Sequence, residues 1–238
     1  MGSAIVEGIM TIWQVNEKRR KRCSLWQYGL LRTLVNVALS LALVMIVSPL
    51  SAGQEQKVLM IGDSLTAGLG LSRDQSIPVR LEAALKGQGI NARIINAGVS
   101  GDTSAGGRSR LQWALSEKPD VVVIELGAND GLRGLDPQAT LENLDAMIAD
   151  AKRSGTRILL AGMKAPPNLG GEYGGEFNRI FPSLASKHSV ALLPFFLEGV
   201  AAVPELNQDD GIHPNEKGVD VIVQNLLPLI RQLLKKAE

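Results

Sequence analysis

The feature that most constrains the fold of this chain is a regular alternation of short apolar runs with segments of helical pattern. Five runs rich in valine, isoleucine and leucine predict strands, at 58–61, 92–97, 120–126, 157–162 and 190–195. Helical patterns lie between and after them, at 78–86, 105–117, 137–153, 174–187 and 215–235. Nearly continuous apolar runs are typical of strands buried on both faces, and one helix in each crossover makes the strands parallel. The chain is therefore predicted to form an α/β fold with a central parallel sheet and helices on both sides.

A separate N-terminal leader precedes this alternation. The basic stretch at 18–22 is followed by an apolar run at 35–47 and then by small residues around Ala52, which is the order typical of a secretory signal. The apolar run has about 13 residues, fewer than the roughly 20 that a stable membrane-spanning helix needs. We therefore predict a leader at 1–52 that is cleaved near Ala52. The remaining single domain, 53–238, is expected to be periplasmic or secreted and to have no stable membrane span.

Composition limits the chemistry of this domain. It carries 19 basic and 22 acidic residues, so it has no electrostatic reason to bind nucleic acid. The only cysteine of the chain, Cys23, precedes the domain, which excludes a thiolate nucleophile and a cysteine metal site there. The only histidines, His188 and His213, are too few for a zinc site built mainly from imidazole. The nucleophile must therefore be an oxygen, and we predict neither a metal nor another cofactor.

Small polar clusters follow three of the predicted strands, and a fourth lies near the C-terminus. They occupy 62–65, 100–104, 127–130 and 210–213. Each cluster alone is explained by ordinary turns and helix caps, which favour glycine, serine, asparagine and aspartate. In parallel sheets, however, ligands bind beyond the carboxyl ends of the strands. Four clusters of complementary chemistry at these positions therefore predict an active site.

These clusters contain the groups that acyl transfer requires. Ser64, at the turn from the first strand into a helix, would be the nucleophile, and His213 the base that takes its proton. Asp210 lies three residues before His213, so a turn can bring its carboxylate to the imidazole ring, and Asp209 is the alternative orienting residue. Donors for an oxyanion are available from the Ser64 N–H, a glycine N–H after the second strand and the Asn129 side chain.

The same four clusters, in this order, resemble the four sequence blocks of the SGNH, or GDSL, hydrolase family. They read GDSL at 62–65, SGDTS at 100–104, GAND at 127–130 and DGIH at 210–213. A narrower similarity, to the branch that contains periplasmic acyl-CoA thioesterase/lysophospholipases and arylesterases, rests on longer stretches at 125–134, 192–198 and 208–215.

This resemblance implies a fold, an activity and a set of site residues. The fold is a flavodoxin-like three-layer α/β/α sandwich. The activity is that of a serine hydrolase that cleaves aryl esters, acyl-CoA and lysophospholipids through an acyl-enzyme intermediate. The implied catalytic residues are Ser64, Asp210 and His213, and the implied oxyanion donors are Ser64, Gly101 and Asn129.

Substrate preference is expected to depend on the Gly-rich segment 165–175, which resembles a variable substrate loop of the family. Within it, Leu169 and Tyr173 are the residues expected to set the acyl-chain length. The expected partner is a small-molecule ester or thioester, and the enzyme is expected to be a monomer.

Two other motifs are weaker. A Gly-x-Ser-x-Gly nucleophile elbow is absent, because Thr66 stands where the second glycine would be. A glycine pattern at 87–92 matches a dinucleotide fingerprint, but it precedes a strand instead of following one. His188, just before an apolar strand, is expected to cap a helix C-terminus or to face solvent, and not to take part in catalysis.

Several alternatives stay open. A metal-dependent hydrolase would use His213 with Asp63, Asp209 and Asp210, but it leaves the serine without a role. An SGNH acetylesterase acting on acetylated polysaccharide is the second candidate among serine enzymes. A non-catalytic exported module would bind an acylated or glycan ligand at the same strand ends. For the leader, the alternatives are a retained anchor and translation from Met10.

Overall fold

The computed structural model describes residues 55–235 and, before them, residue 36. In residues 55–235 one sheet contains five strands, β1 (Gln56–Gly62), β2 (Ala92–Gly98), β3 (Val121–Glu125), β4 (Arg157–Ala161) and β5 (Ala191–Leu193). Their spatial order is β2-β1-β3-β4-β5, and every neighbouring pair is parallel. The predicted parallel sheet is confirmed. The leader predicted at 1–52 lies outside the described residues, apart from residue 36.

Helices cover both faces of the sheet. Along residues 55–235 the α-helices are α1 (Ser64–Ala67), α2 (Ile77–Gly87), α3 (Ser104–Leu115), α4 (Ala128–Leu132), α5 (Pro137–Arg153), α6 (Gly171–His188) and α7 (Glu216–Lys235). α2 packs against α7, while α5 packs against both α3 and α6. The predicted three-layer α/β/α sandwich is confirmed. Within this described part of the chain, no helix is both long and apolar enough to cross a membrane.

The core forms because the strands are apolar on both faces. Residues 58–61 of β1 and 121–124 of β3 are fully buried. The flanking helices contribute one apolar face each, and α7 shows the helical period clearly. Its buried side chains include Val219, Ile222, Val223, Leu226 and Ile230. Burial of these opposing apolar surfaces is the main stabilising contribution to such a sandwich.

The predicted elements agree with the structure except at a few boundaries. The fifth strand was expected over 190–195 but covers only Ala191–Leu193, because Pro194 has no N–H to continue the ladder. The short helix α4 was not predicted, and for α1 only its start, at the turn out of the first strand, was expected. Each begins within three residues of the end of a strand, α1 after β1 and α4 after β3.

The strand order determines where a site can form. β2 lies on one side of β1 and β3 lies on the other, so the chain reverses direction across the sheet between them. Such a topological switch point opens a crevice at the carboxyl ends of the two central strands. The helices that begin in this crevice are α1 and α4.

Candidate active site

Ser64 is held at a sharp turn from β1 into α1. It is the first residue of α1, and the preceding Asp63 caps the helix by accepting a hydrogen bond from the Leu65 N–H at 3.0 Å. Gly62 ends the strand at a place where no side chain fits. A Cβ there would lie 2.2 Å from Thr66 Oγ1 and 2.3 Å from a carboxylate oxygen of Glu125. The close packing beneath this turn therefore fixes the direction in which Ser64 is presented.

Ser64, His213 and Asp210 form one chain of hydrogen bonds. Ser64 Oγ lies 2.8 Å from His213 Nε2, and His213 Nδ1 lies 2.6 Å from Asp210 Oδ2. The other carboxylate oxygen of Asp210 accepts the backbone N–H groups of Ile212 and His213, at 2.9 and 3.0 Å. The turn expected from the three-residue spacing is present. The structure thus brings together the three predicted catalytic side chains.

The electrostatics of Asp210 suit an orienting carboxylate. Hydrogen bonds from the His213 backbone N–H, the His213 ring and the Ile212 N–H lower the pKa of Asp210 to about 2. The carboxylate is therefore ionised throughout the neutral range. An ionised acceptor at Nδ1 keeps a proton on that nitrogen and leaves the lone pair of Nε2 facing Ser64.

The three predicted oxyanion donors belong to residues that line one cavity, Ser64, Gly101 and Asn129. Gly101 adopts a φ of +85°, a left-handed conformation that favours glycine, in the turn that follows β2. Within residues 55–235, the N–H groups of Ser64 and Gly101 donate to no other group. The Asn129 amide donates to Asp63 Oδ2 and to the Asp102 carbonyl, both at 3.0 Å. These two bonds orient the Asn129 amide, and an oxyanion placed beside it would share or replace one of them.

A cavity of about 570 Å³ opens next to these groups. Its size lies in the range of small-molecule sites. Its polar lining residues include Ser64, Asn129 and His213, and its apolar wall includes Leu69, Leu132, Met163, Pro166, Phe195 and Ile212. Most of the remaining wall is also apolar. The cavity therefore combines these reactive groups with a mostly hydrophobic wall.

The structure corrects one part of the predicted substrate loop. Residues 165–167, at the beginning of the predicted segment 165–175, do line the cavity. Leu169 and Tyr173 do not belong to its wall. The Tyr173 ring stacks on Phe177, with ring centroids 5.9 Å apart, and its hydroxyl donates to a backbone carbonyl at 2.9 Å. We therefore expect residues of the cavity wall, and not Leu169 and Tyr173, to contact an acyl chain.

Two further predictions involved histidines, the role of His188 and the alternative of a metal site that uses His213. His188 is the last residue of α6, and its Nε2 lies 2.7 Å from Asp145 Oδ1. It ends a helix as expected, but it is mostly buried in this pairing and does not face solvent. Both ring nitrogens of His213 are engaged, by Ser64 and Asp210. Among residues 55–235, no group of three or more His, Cys, Asp or Glu is arranged to hold a metal ion.

Comparison with known proteins adds a decisive observation. Residues 60–221 match the GDSL-like lipase/acylhydrolase family. This range runs from β1 into α7 and contains all four polar clusters. The chain belongs to this family.

Several named proteins are similar to this chain over most of their length. Esterase TesA of Pseudomonas aeruginosa is 43% identical over 82% of this chain and 96% of its own. An arylesterase of Vibrio mimicus is 44% identical over 74% and 88%. Thioesterase 1/protease 1/lysophospholipase L1 of Escherichia coli is 39% identical over 75% and 87%. The crystal structure of TesA has a TM-score of 0.72 to this fold at 44% identity, covering 75% of this chain and 99% of that one.

Beneath the family's GDSL turn lies a pair of buried carboxyl groups that sequence reasoning did not find. Glu125, at the end of β3, is fully buried, and its Oε2 accepts Thr66 Oγ1 at 2.6 Å and the Asp63 N–H at 3.3 Å. Burial, and then the charge of Asp63, raise the pKa of Glu125 well above its usual range. Burial likewise raises the pKa of Asp63 to about 6. The sequence signal that could have revealed this pair is the charged Glu125 at the end of an otherwise apolar strand.

Asp63 is expected to make the fold less stable as the pH rises from about 4 to about 6. Its carboxyl binds a proton more tightly in the folded chain, so its stabilising contribution is complete below the unfolded value of 3.8 and is lost through about 6. Relative to Asp63→Asn, the wild type should lose up to about 3 kcal/mol of unfolding free energy across this window. Urea denaturation of both proteins at about pH 4 and about pH 7 measures the change. A difference that is the same at both pH values would contradict this assignment.

Proposed function

We propose that this chain is a serine hydrolase that cleaves carboxylic esters and acyl thioesters through an acyl-enzyme intermediate on Ser64. The observation that carries the proposal is the hydrogen-bonded chain from Ser64 through His213 to Asp210, in which Ser64 and His213 line a largely apolar cavity. Membership of an acylhydrolase family and relatives named esterase, arylesterase and thioesterase support it.

Acylation follows from the positions of these groups. His213 Nε2 takes the proton of Ser64 Oγ as the oxygen attacks the substrate carbonyl carbon. The electron pair of the carbonyl moves to its oxygen, where the N–H groups of Ser64 and Gly101 and the Asn129 amide stabilise the charge. The intermediate collapses, the bond to the leaving oxygen or sulfur breaks, and His213 returns its proton to the leaving group.

Deacylation repeats these steps with water. His213 removes a proton from a water molecule that attacks the acyl-enzyme carbonyl, and the same three donors receive the second oxyanion. Collapse breaks the bond to Ser64 Oγ, which regains its proton from His213 and releases the carboxylic acid. Because Asp210 stays ionised, the ring is reset to the same tautomer for each cycle.

The cavity wall favours an acyl chain as the group bound beside Ser64. Leu69, Leu132 and Ile212 are each about half exposed and line the cavity, so a chain that covers them removes apolar surface from water. An acetyl group would leave most of this space unfilled. We therefore propose aryl esters, acyl-CoA and lysophospholipids as substrates, in preference to acetylated polysaccharide.

A single activity panel tests this proposal. The purified chain is assayed with p-nitrophenyl esters from acetyl to palmitoyl, acyl-CoA, a lysophospholipid and acetylated xylan. We expect turnover of aryl esters and thioesters, with a preference for acyl chains longer than acetyl that changes in Leu132→Ala. Turnover of acetylated xylan alone would favour the acetylesterase. No turnover and no labelling by a fluorophosphonate would favour the non-catalytic module.

Asn129→Ala is expected to lower kcat by about 10²–10³-fold with a smaller change in KM. The oxyanion charge develops mainly in the transition state. Loss of one donor therefore weakens the binding of the transition state and not the binding of the substrate in the ground state. Steady-state kinetics beside thermal melts measure the effect, with Asn225→Ala on α7 as the matched control. A folded Asn129→Ala protein with kcat near that of the control would remove Asn129 from the oxyanion hole.

For the leader we propose cleavage near Ala52 and export of the domain to the periplasm or beyond the cell. The basic stretch, the apolar run and the small residues that follow them support this proposal. Expression of the full chain in a bacterial host, followed by fractionation and N-terminal sequencing, tests it. A soluble exported protein that begins close to Gly53 is expected. Full-length protein in the membrane fraction would instead support the retained anchor.

A further inference from the structure

Arg110, on α3, binds three acceptors with its guanidinium group, at the end of β1, in β2 and in the turn after β2. Its Nε donates to Asp102 Oδ2 at 2.7 Å, one terminal nitrogen to the Ala97 carbonyl at 2.7 Å and the other to the Gly62 carbonyl at 2.9 Å. The side chain of Arg110 is only 20% exposed, and that of Asp102 only 19%. Nothing in the reaction proposed above uses Arg110.

Two of the three acceptors of Arg110 lie next to an oxyanion donor along the chain. The Gly62 carbonyl ends β1, two residues before Ser64. Asp102 directly follows Gly101 in the chain, and its backbone carbonyl accepts the Asn129 amide at 3.0 Å. One side chain therefore joins the strand end before the first donor to Asp102, the residue that follows the second donor and whose carbonyl orients the third.

Arginine is suited to this task by its shape. Its guanidinium is planar and rigid, and its donors point in several fixed directions, so it can hold two carbonyls and a carboxylate in one frame. A lysine ammonium is a single point of charge on a flexible stem and cannot span the same three acceptors in fixed geometry. If these partly buried carbonyls lost their donor, they would incur a desolvation penalty. The strand ends would then be expected to shift so that water can solvate the carbonyls.

A second arginine holds the same turn from its other side. Arg133, at the end of α4, donates to the Gly101 carbonyl at 2.9 Å. Its contact ties the Gly101 peptide to the helix that carries Asn129. Arg133 is exposed, however, and among residues 55–235 it donates to a single acceptor. The more buried Arg110, with three acceptors, therefore holds the turn more firmly.

We propose that Arg110 is a positioning residue that keeps the three oxyanion donors in register. This inference rests on the proposed function, since it presumes that Ser64, Gly101 and Asn129 bind an oxyanion. Misplacing reacting groups by about 1 Å costs on the order of 10²-fold in rate. Loss of Arg110 is therefore expected to act on the transition state and to leave substrate binding largely intact.

The experiment compares Arg110→Gln and Arg110→Lys with Arg108→Gln, an exposed arginine of the same helix that bonds Asn143. Active sites are counted with a fluorophosphonate, so that rates refer to folded enzyme only. We expect kcat to fall about 10²-fold in Arg110→Gln, with KM changed only a few-fold, and to fall less in Arg110→Lys. The affinity for an alkylboronic acid, which forms a tetrahedral adduct with Ser64, should fall in parallel. The affinity for a fatty acid product should not change.

A second variant keeps the test decisive if Arg110→Gln folds poorly. Asp102→Asn removes the ion pair but keeps the backbone carbonyls, and it should give a smaller loss of kcat with a correspondingly smaller loss of boronic acid affinity. Lower thermal stability with unchanged kcat per active site would overturn the proposal and leave Arg110 a purely structural role. The inference concerns only differences between active proteins. A wild type that is inactive and does not react with the fluorophosphonate would instead refute the proposed function.

Discussion

Replacing Ser64 by alanine is expected to abolish ester and thioester hydrolysis, with a loss of about 10⁶-fold in turnover. The Ser64 hydroxyl lies 2.8 Å from His213 Nε2, and in the proposed mechanism its oxygen forms the bond to the acyl group. Without that oxygen no acyl-enzyme can form. The remaining oxyanion donors could then assist only direct attack on the substrate by a poorly positioned water molecule. The main-chain N–H of residue 64 is kept, so the oxyanion hole itself is retained.

The fold should tolerate this change. The Ser64 side chain is small and caps no helix, since the capping carboxylate belongs to Asp63. Thermal melts of Ser64→Ala and wild type should therefore agree within a few degrees, and fluorophosphonate labelling should disappear in Ser64→Ala alone. Ser109→Ala, an exposed serine of α3, is the matched control and should keep both labelling and turnover. Full activity in a folded Ser64→Ala protein would assign the chemistry to another group.

Asp210→Asn is expected to lower turnover by about 10⁴-fold while leaving the turn intact. The asparagine oxygen can still accept the N–H groups of Ile212 and His213. Its amide, however, would donate to His213 Nδ1, where the carboxylate now accepts at 2.6 Å. The ring proton would then move to Nε2, and that nitrogen could no longer take the proton of Ser64.

The neighbouring carboxylate supplies the control for this experiment. Asp209→Asn changes the same charge one position earlier and should keep turnover within a few-fold of wild type. Because the pKa of Asp210 is about 2, the loss in Asp210→Asn should be of similar size across the neutral pH range. Equal losses of turnover in the two variants would show that negative charge near the His213 ring is sufficient. They would contradict tautomer control by Asp210.

The local pattern of the sequence was enough to find the sheet and the position of the site. Runs such as 121–124 are apolar at every residue, which is the pattern that strands buried on both faces require. Short polar clusters directly after such strands could be assigned to the carboxyl edge of the sheet. The family resemblance then assigned roles to Ser64, Gly101 and Asn129, and the structure places these residues beside one another at the cavity.

The substrate loop shows where a local pattern was misleading. Tyr173 lies in a glycine-rich segment that resembles a variable loop, yet it begins the aromatic stack of α6 and hydrogen-bonds to the Leu135 carbonyl. Loop composition predicts irregular structure and gives no direction to a side chain. The cavity wall is instead built from segments distant in sequence, such as Leu69, Leu132 and Phe195.

The sequence by itself determined the succession of strands and helices along the chain, the polar clusters at the strand ends and the choice of an oxygen nucleophile. Each of these depends on residue type and on the spacing of near neighbours. Only the tertiary structure decided that Glu125 lies under the Ser64 turn and that Arg110 joins the end of β1 to β2 and the turn after it, beside the oxyanion donors. The physical reason is that the hydrogen bonds and desolvation that set these roles act between residues far apart in the chain. The Arg110 guanidinium bonds a carbonyl 48 residues earlier, and Glu125 bonds an N–H 62 residues earlier. Such partners are brought within reach only when parallel strands align their carboxyl ends.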